Sequence, residues 1–223
     1  MAVDLKKYQE IKAVLDVRNV KLVAVSKIKP VPEILELYQA GQRDFGENYV
    51  QELAEKQPQL PADIQWHFIG HLQSNKVKYI APFVYLIHGV DSLKLLTEIN
   101  KQGAKNNRII HCLLQVHIAQ EETKFGFDKN ELSEAIKAVQ TPGAFANIII
   151  VGLMGMASFS DDMIKVRNEM KYLKVLFDTY SSEKTINCNF TILSMGMSGD
   201  YALAVEEGST MVRIGSLLFG ARL

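Results

Sequence analysis

The sequence lacks most of the features that announce a function class. It has two cysteines, Cys112 and Cys188, far apart and without metal-ligand spacing. That excludes a disulfide framework and a zinc site, and points to two reduced core thiols. Charge of either sign is not in excess: Lys+Arg and Asp+Glu both number 25, for a formal net charge of zero. The basic residues are spread along the chain, which argues against a nucleic-acid footprint. No Gly-rich P-loop and no GxGxxG occurs. The longest apolar run, residues 148–157, is too short to span a bilayer, which takes roughly 20 residues. Residues 1–20 alternate charged and apolar side chains and lack the apolar stretch of a signal peptide. A cytoplasmic protein is expected. No low-complexity stretch or Pro/Gly/Ser linker divides the chain, so residues 1–223 are read as a single domain.

What is present is an ordinary globular composition, 48 % hydrophobic and 22 % charged, arranged in a recurring unit. A short β-branched run is followed by a polar or Gly-containing turn and then a helical pattern. Residues 4–17 open as an amphipathic helix, with Leu5, Tyr8, Ile11, Val14 and Leu15 on one stripe. Strands are expected at 21–26, 43–45, 66–70, 84–90, 109–118, 147–156, 191–196 and 210–215. Helices are expected between them, including 72–80, one capped by Ser92, one capped by Ser160, and 200–207. Parallel strands need crossover helices, and eight such units suggest closure. The fold expected is α/β, a single (β/α)8 TIM-type barrel with an extra N-terminal helix; an open doubly wound sheet is the competing fold.

In a barrel the site lies at the C-terminal ends of the strands. The first strand ends AVSK, which places Lys27 at the mouth, where an apolar surround would lower its pKa and free the amine as a nucleophile toward an aldehyde. A solvated loop lysine is the plainer reading, and is the one given to Lys29. The eighth strand carries Arg213, on the same face as Met211 and opposite to Val212 and Ile214. Alone it reads as half of a structural ion pair. Barrel closure sets it beside Lys27, and two cations at one opening call for an anionic or electron-rich ligand. The loops after strands seven and eight, MGMSGD and GSLLFG, offer a phosphate cradle through Ser198, Gly199, Gly215 and Ser216. Glu47 can favour a helix N-terminus, and Asn48 can cap that helix or bond a ligand. His67, His71, His88, His111 and His117 show no metal pairing and read as separate structural groups. Met154, Met156, Met195 and Met197 read as core filler or an apolar wall.

These residues carry a resemblance. The stretches LVAVSK (22–27), FGENYVQE (45–52), WHFIGHLQSNK (66–76), ETKFGF (122–127), GLMGMA (152–157), LSMGMSGD (193–200) and VRIGSLLFGAR (212–222) resemble, in order, the pyridoxal phosphate homeostasis protein family, also called the proline synthase co-transcribed family. Its barrel is similar to the N-terminal domain of alanine racemase. The resemblance implies pyridoxal 5′-phosphate (PLP) as cofactor, joined to Lys27 as a Schiff base. It also implies Asn48 near the ring, Ser198 on the phosphate with the amides around Gly215 and Ser216, and Arg213 facing the pyridine nitrogen. Two departures stand out: Ile28 where the family often has Thr, and Ser216 where it often has Thr, the hydroxyl being kept.

An arginine can only donate, so the ring nitrogen facing it stays unprotonated and the cofactor is a poorer electron sink. The resembling racemases also draw a tyrosine base from a separate β domain, and the chain stops at Leu223, after strand eight. The expectation is therefore a non-catalytic PLP carrier or reservoir in vitamin B6 homeostasis, with apo PLP-dependent enzymes as candidate recipients, and the protein a monomer. The alternatives are a racemase-like PLP enzyme with a base inside the barrel, and a cofactor-free Schiff-base aldolase or isomerase.

Overall fold

The computed structural model describes residues 3–119, 125–182 and 184–220. Part of the ETKFGF stretch and the end of VRIGSLLFGAR lie outside the described residues. The helix α1 (Leu5–Val17) precedes the strand β1 (Lys21–Val25). There follow α2 (Val31–Gln39), β2 (Asp44–Glu47), α3 (Val50–Lys56), β3 (Gln65–Phe68), α4 (Val77–Ile80) and β4 (Leu86–Val90). Next come α5 (Leu93–Lys105), β5 (Ile110–Val116), α6 (Lys129–Gln140), β6 (Ile148–Gly155) and α7 (Met163–Ser181). The last described elements are β7 (Cys188–Ser194), α8 (Tyr201–Glu206), β8 (Met211–Ile214) and α9 (Ser216–Phe219). The strands form one closed barrel in sequence order, every pair parallel. β8 closes onto β1 with Val23 beside Arg213 and Ala24 beside Ile214. The open doubly wound sheet is thereby excluded. Among the described residues no helix is long and apolar enough to cross a membrane.

Strand parity divides the core in two. Odd positions of β1 and β8 face the barrel interior, where Val23, Leu86, Leu113, Met154 and Met211 pack together. Even positions such as Leu22, Ala24, Val212 and Ile214 join the larger layer between strands and helices. Each fully buried Leu, Ile or Phe there contributes about 1.5–3 kcal/mol. Lys27 has the parity of Val23 and Val25, which is why it emerges on the inner side of the mouth.

Three local expectations are corrected. The 72–80 segment holds only a short turn at Ser74–Lys76 and the single turn of α4. Asp162, not Ser160, caps α7, because its carboxylate accepts from Ile164 N (3.0 Å) and Lys165 N (3.1 Å). Glu47 ends β2 rather than favouring a helix start, and its side chain is fully buried. The Ser92 cap of α5 is present, its hydroxyl accepting from Leu95 N at 3.3 Å.

Candidate functional site at the barrel mouth

A cavity of about 690 Å³ opens at the C-terminal ends of β1, β2, β6, β7 and β8. Lys27, Asn48, Ser198, Arg213, Gly215 and Ser216 all line it, together with an apolar wall that includes Met156 and Met197. Six residues separated by up to 189 positions in sequence thus meet at one opening, because β8 lies against β1.

Lys27 sits in a turn that is held from outside the barrel. Ser26 on one side donates its hydroxyl to Glu47 Oε1 at 2.6 Å, and its carbonyl accepts from Lys56 Nζ at 2.9 Å. Ile28 on the other side donates its amide to Glu52 Oε1 at 2.6 Å. Lys56 Nζ joins both halves, donating to Glu47 at 2.9 Å and Glu52 at 2.5 Å. Ile28 has φ +64°, a left-handed conformation that a β-branched residue adopts only when its surroundings impose it. Its polar contact is thus a backbone one, and its side chain is exposed. Burial pushes the Glu47 carboxyl up, against the opposing pull of Lys56 and Ser26.

Asn48 does not cap α3, whose first turn follows Tyr49 without any side-chain cap. It lines the cavity, with its Oδ1 buried and without a hydrogen-bond partner. Gly70 keeps it in place: a Cβ there would stand 2.3 Å from the Asn48 carbonyl oxygen, so only glycine lets the backbones approach. Ser198 Oγ accepts from Gly215 N at 3.3 Å, which ties the loops after β7 and β8 into one corner. Asp200 shapes that corner by accepting from Met197 N at 2.6 Å.

Arg213 is buried on the inner face of β8. It donates to Ser194 Oγ at 2.6 Å and to the Gly155 carbonyl at 3.1 Å. Among the described residues no carboxylate forms an ion pair with it. Burial lowers its pKa to about 10, Asp200 partly opposing, so it keeps its charge at neutral pH. Lys29, read from sequence as a solvated lysine, lines the same cavity and donates to Phe219 O at 2.7 Å. Among the described residues no group of three His, Cys, Asp or Glu could hold a metal ion.

A family model described as alanine racemase, N-terminal domain, matches residues 5–223. The pyridoxal phosphate homeostasis protein of Aquifex aeolicus is 41 % identical over 204 residues, covering 91 % of this chain and 87 % of that protein. The chain belongs to this family. The human protein of the same name is 38 % identical over 212 residues, covering 91 % of this chain and 76 % of that protein. The structure of PipY from Synechococcus elongatus with PLP bound is 33 % identical, with a TM-score of 0.87 over 97 % of this chain and 99 % of that one. Alanine racemase from Bartonella henselae, with covalently bound pyridoxal phosphate, shares the fold at 18 % identity, with a TM-score of 0.70 over 99 % of this chain and 60 % of that one.

Sequence reading placed the six lining residues but missed what supports them. The clamp of Glu47, Glu52 and Lys56 behind Lys27 left only the weak signal of a short strand ending in an acid. His67 and His88, read as separate groups, instead lie edge to face with Nδ1 of the first 2.9 Å from Nε2 of the second. Their inward parity on neighbouring strands was the signal that could have found them.

Proposed function

We propose that this protein binds PLP at the barrel mouth, holds it on Lys27, and serves PLP homeostasis as a carrier or reservoir within one barrel domain. The observation that carries the reading is that Lys27, Asn48, Ser198, Arg213, Gly215 and Ser216 line one cavity. That cavity also fits the ligand chemically. Among the described residues, a buried guanidinium paired with no carboxylate and a buried Asn48 oxygen without a partner both want a polar ligand. PLP supplies an aldehyde for the lysine, a phosphate for the Ser198–Gly215 corner and a ring nitrogen that can accept from arginine. The names of the family members and the PLP-bound PipY structure support the same ligand.

In this reading Lys27 is the point of covalent attachment, presented by the Glu47–Lys56–Glu52 clamp. Ser198, with the backbone at Gly215 and Ser216, receives the phosphate. Arg213 donates to the ring nitrogen, and Asn48 lies beside the ring. A carrier is preferred over a racemase because no Tyr, His or Cys among the described residues lines the cavity, and of its other ionisable groups Lys29 is held by the Phe219 carbonyl and Asp200 by Met197 N, which leaves the exposed Asp161. The carrier reading extends to a monomer that delivers PLP to apo-enzymes.

The test is the visible spectrum of the purified protein with added PLP, beside Lys27→Ala. The expected result is a band that borohydride reduction fixes to the wild type and not to the variant. A band indifferent to the substitution would overturn the Lys27 assignment. Reactivation of an apo-enzyme by loaded protein, faster than spontaneous release, separates a carrier from a mere binder. Amino-acid racemisation above background would instead favour the enzyme.

A further inference from the structure

Arg213 places a positive charge in the barrel interior, and the question is where its counter-charge lies. Asp200 at the mouth exerts some attraction, but its carboxylate is turned to Met197 N. The other route runs through Ser194. Its Oγ, which accepts from Arg213 at 2.6 Å, lies 3.1 Å from His88 Nδ1. His88 Nε2 lies 2.9 Å from His67 Nδ1, and His67 Nε2 lies 2.9 Å from Asp44 Oδ1. Four hydrogen bonds therefore form an unbroken line from the mouth to the start of β2, at the opposite end of the barrel. Ser194, His67 and His88 are fully buried along it.

The direction of every hydrogen on this line follows from its ends. Arginine only donates, so the Ser194 oxygen accepts from it, which leaves the hydroxyl hydrogen able to turn to His88 Nδ1. A neutral imidazole with a bare Nδ1 carries its hydrogen on Nε2, which His88 then donates to His67 Nδ1. His67 in turn holds its hydrogen on Nε2 and donates it to Asp44, which as a carboxylate only accepts. The carboxylate end sets this polarity, the Ser194 hydroxyl is compatible with it, and the line satisfies it with both imidazoles neutral. Burial lowers the pKa of both histidines and so favours that neutral form. Asp44 stays ionised: burial pushes it up, but His67 and Lys21 outweigh this and hold it below the usual carboxylate range.

We infer that Asp44, His67, His88 and Ser194 form a through-barrel relay that supplies the counter-charge of Arg213 and positions its guanidinium for the electron-rich atom of the bound ligand. The inference rests on the PLP reading of the mouth. It makes these four positioning residues, none of which needs to touch the ligand. Aligned hydrogen bonds polarise one another, so the negative end at Asp44 is felt at Arg213. Mere satisfaction of three buried polar groups and the partly exposed Asp44 would affect folding alone, whereas a relay changes ligand binding through Arg213.

The test uses PLP-loaded protein and reads the PLP dissociation constant, the position of the visible band and the melting curve. Asp44→Asn keeps an acceptor for His67 and removes the charge, and with it the ion pair to Lys21 (3.1 Å), so Lys21→Met, which removes that pair alone, is its control. Asp44→Asn is expected to weaken PLP binding about tenfold, the size of a unit charge acting across a poorly screened interior, and to shift the band. His88→Phe breaks the line and should weaken binding at least as much. His88→Gln, with an N–H on one side and a carbonyl on the other, should restore it. In an Arg213→Met background, neither Asp44→Asn nor His88→Phe should weaken binding further, because the route is gone. Wild-type affinity and band position in Asp44→Asn would overturn the relay, as would losses that add in full to that of Arg213→Met. Should His88→Phe fail to fold, Asp44→Asn decides alone, since its site lies at the partly exposed end. If the wild type itself carries no borohydride-fixed PLP, the reading of the mouth fails instead, and the two failures are distinct.

Discussion

Lys56→Met tests how the barrel presents Lys27. The substitution keeps an unbranched side chain and removes the ammonium that binds Ser26 O, Glu47 Oε1 and Glu52 Oε1. Glu47 is then a fully buried carboxylate with no cation beside it, and its Oε2 already has no partner. Its escape is to take up a proton. For a carboxyl of ordinary value 4.5, doing so at pH 7 costs about 3.4 kcal/mol at 1.36 kcal/mol per unit. The hydrogen bond to the Ser26 carbonyl adds about 1 kcal/mol. The variant should therefore be about 4–5 kcal/mol less stable at pH 7, in line with the removal of one partner of a buried pair. The sign with pH follows. A carboxyl whose folded value is raised loses stability as pH rises above its unfolded value, because the unfolded chain gives up the proton first. Lys56→Met raises Glu47 further, so its deficit should shrink by about 2 kcal/mol on going from pH 7 to pH 5.5. Urea unfolding at both pH values measures this, with Lys56→Met/Glu47→Gln as the partner variant that removes the charge and the pH dependence together. A deficit below about 1 kcal/mol at pH 7, or one that does not change with pH, would refute the argument. Loosened on both sides of Lys27, the single variant should also react more slowly with PLP.

Two further outcomes are expected. His67 and His88 have folded values lowered by burial, so the unfolded chain takes up protons first as pH falls below the ordinary 6.5. Their contribution is complete above that value and is lost below it, at up to about 1.4 kcal/mol per pH unit for each histidine. Unfolding free energies between pH 7 and pH 5 should therefore fall less steeply in His88→Gln than in the wild type, and equal slopes would contradict a neutral His88. Gly152, at the register shift between β6 and β7, has φ +153°, and a Cβ there would stand 1.7 Å from the Ile192 carbonyl oxygen. Gly152→Ala should lower stability by more than about 3 kcal/mol, while Gly143→Ala, which meets nothing within 4 Å, should lose only about 1–2 kcal/mol from its left-handed backbone. Thermal unfolding of the two variants compares them, and equal losses would refute the close-approach account.

The barrel was legible because each strand announces itself locally. A β-branched run between turn residues needs no knowledge of its neighbours, and eight such runs with crossover helices leave few topologies. The lining of the mouth was legible for the same reason: Lys27 and Arg213 end up together once β8 is known to close onto β1. The supports were not, because each joins residues whose separation carries no pattern. Ser26 and Lys56 are 30 positions apart, His67 and His88 are 21 apart, and His88 and Ser194 are 106 apart. Lys29 was misread because a lysine between a turn and a proline looks solvated, yet the Phe219 carbonyl, 190 positions away, accepts its ammonium.

The two networks share an origin in the two-residue period of a strand. β2 has four residues, and it serves both: Asp44 points into the barrel and anchors the line to Arg213, while Glu47, of opposite parity, points outward and anchors the clamp behind Lys27. The cation that would meet the ring and the amine that would meet the aldehyde are thus held from opposite sides of the same sheet. Held separately, they are adjustable separately. On this reading a change in the relay would alter how firmly the ring is held without disturbing the lysine, and a change in the clamp would alter the presentation of the lysine without disturbing the guanidinium. A protein that must both retain a reactive aldehyde and give it up gains from that separation, because retention and covalent exchange need not be tuned by the same residues.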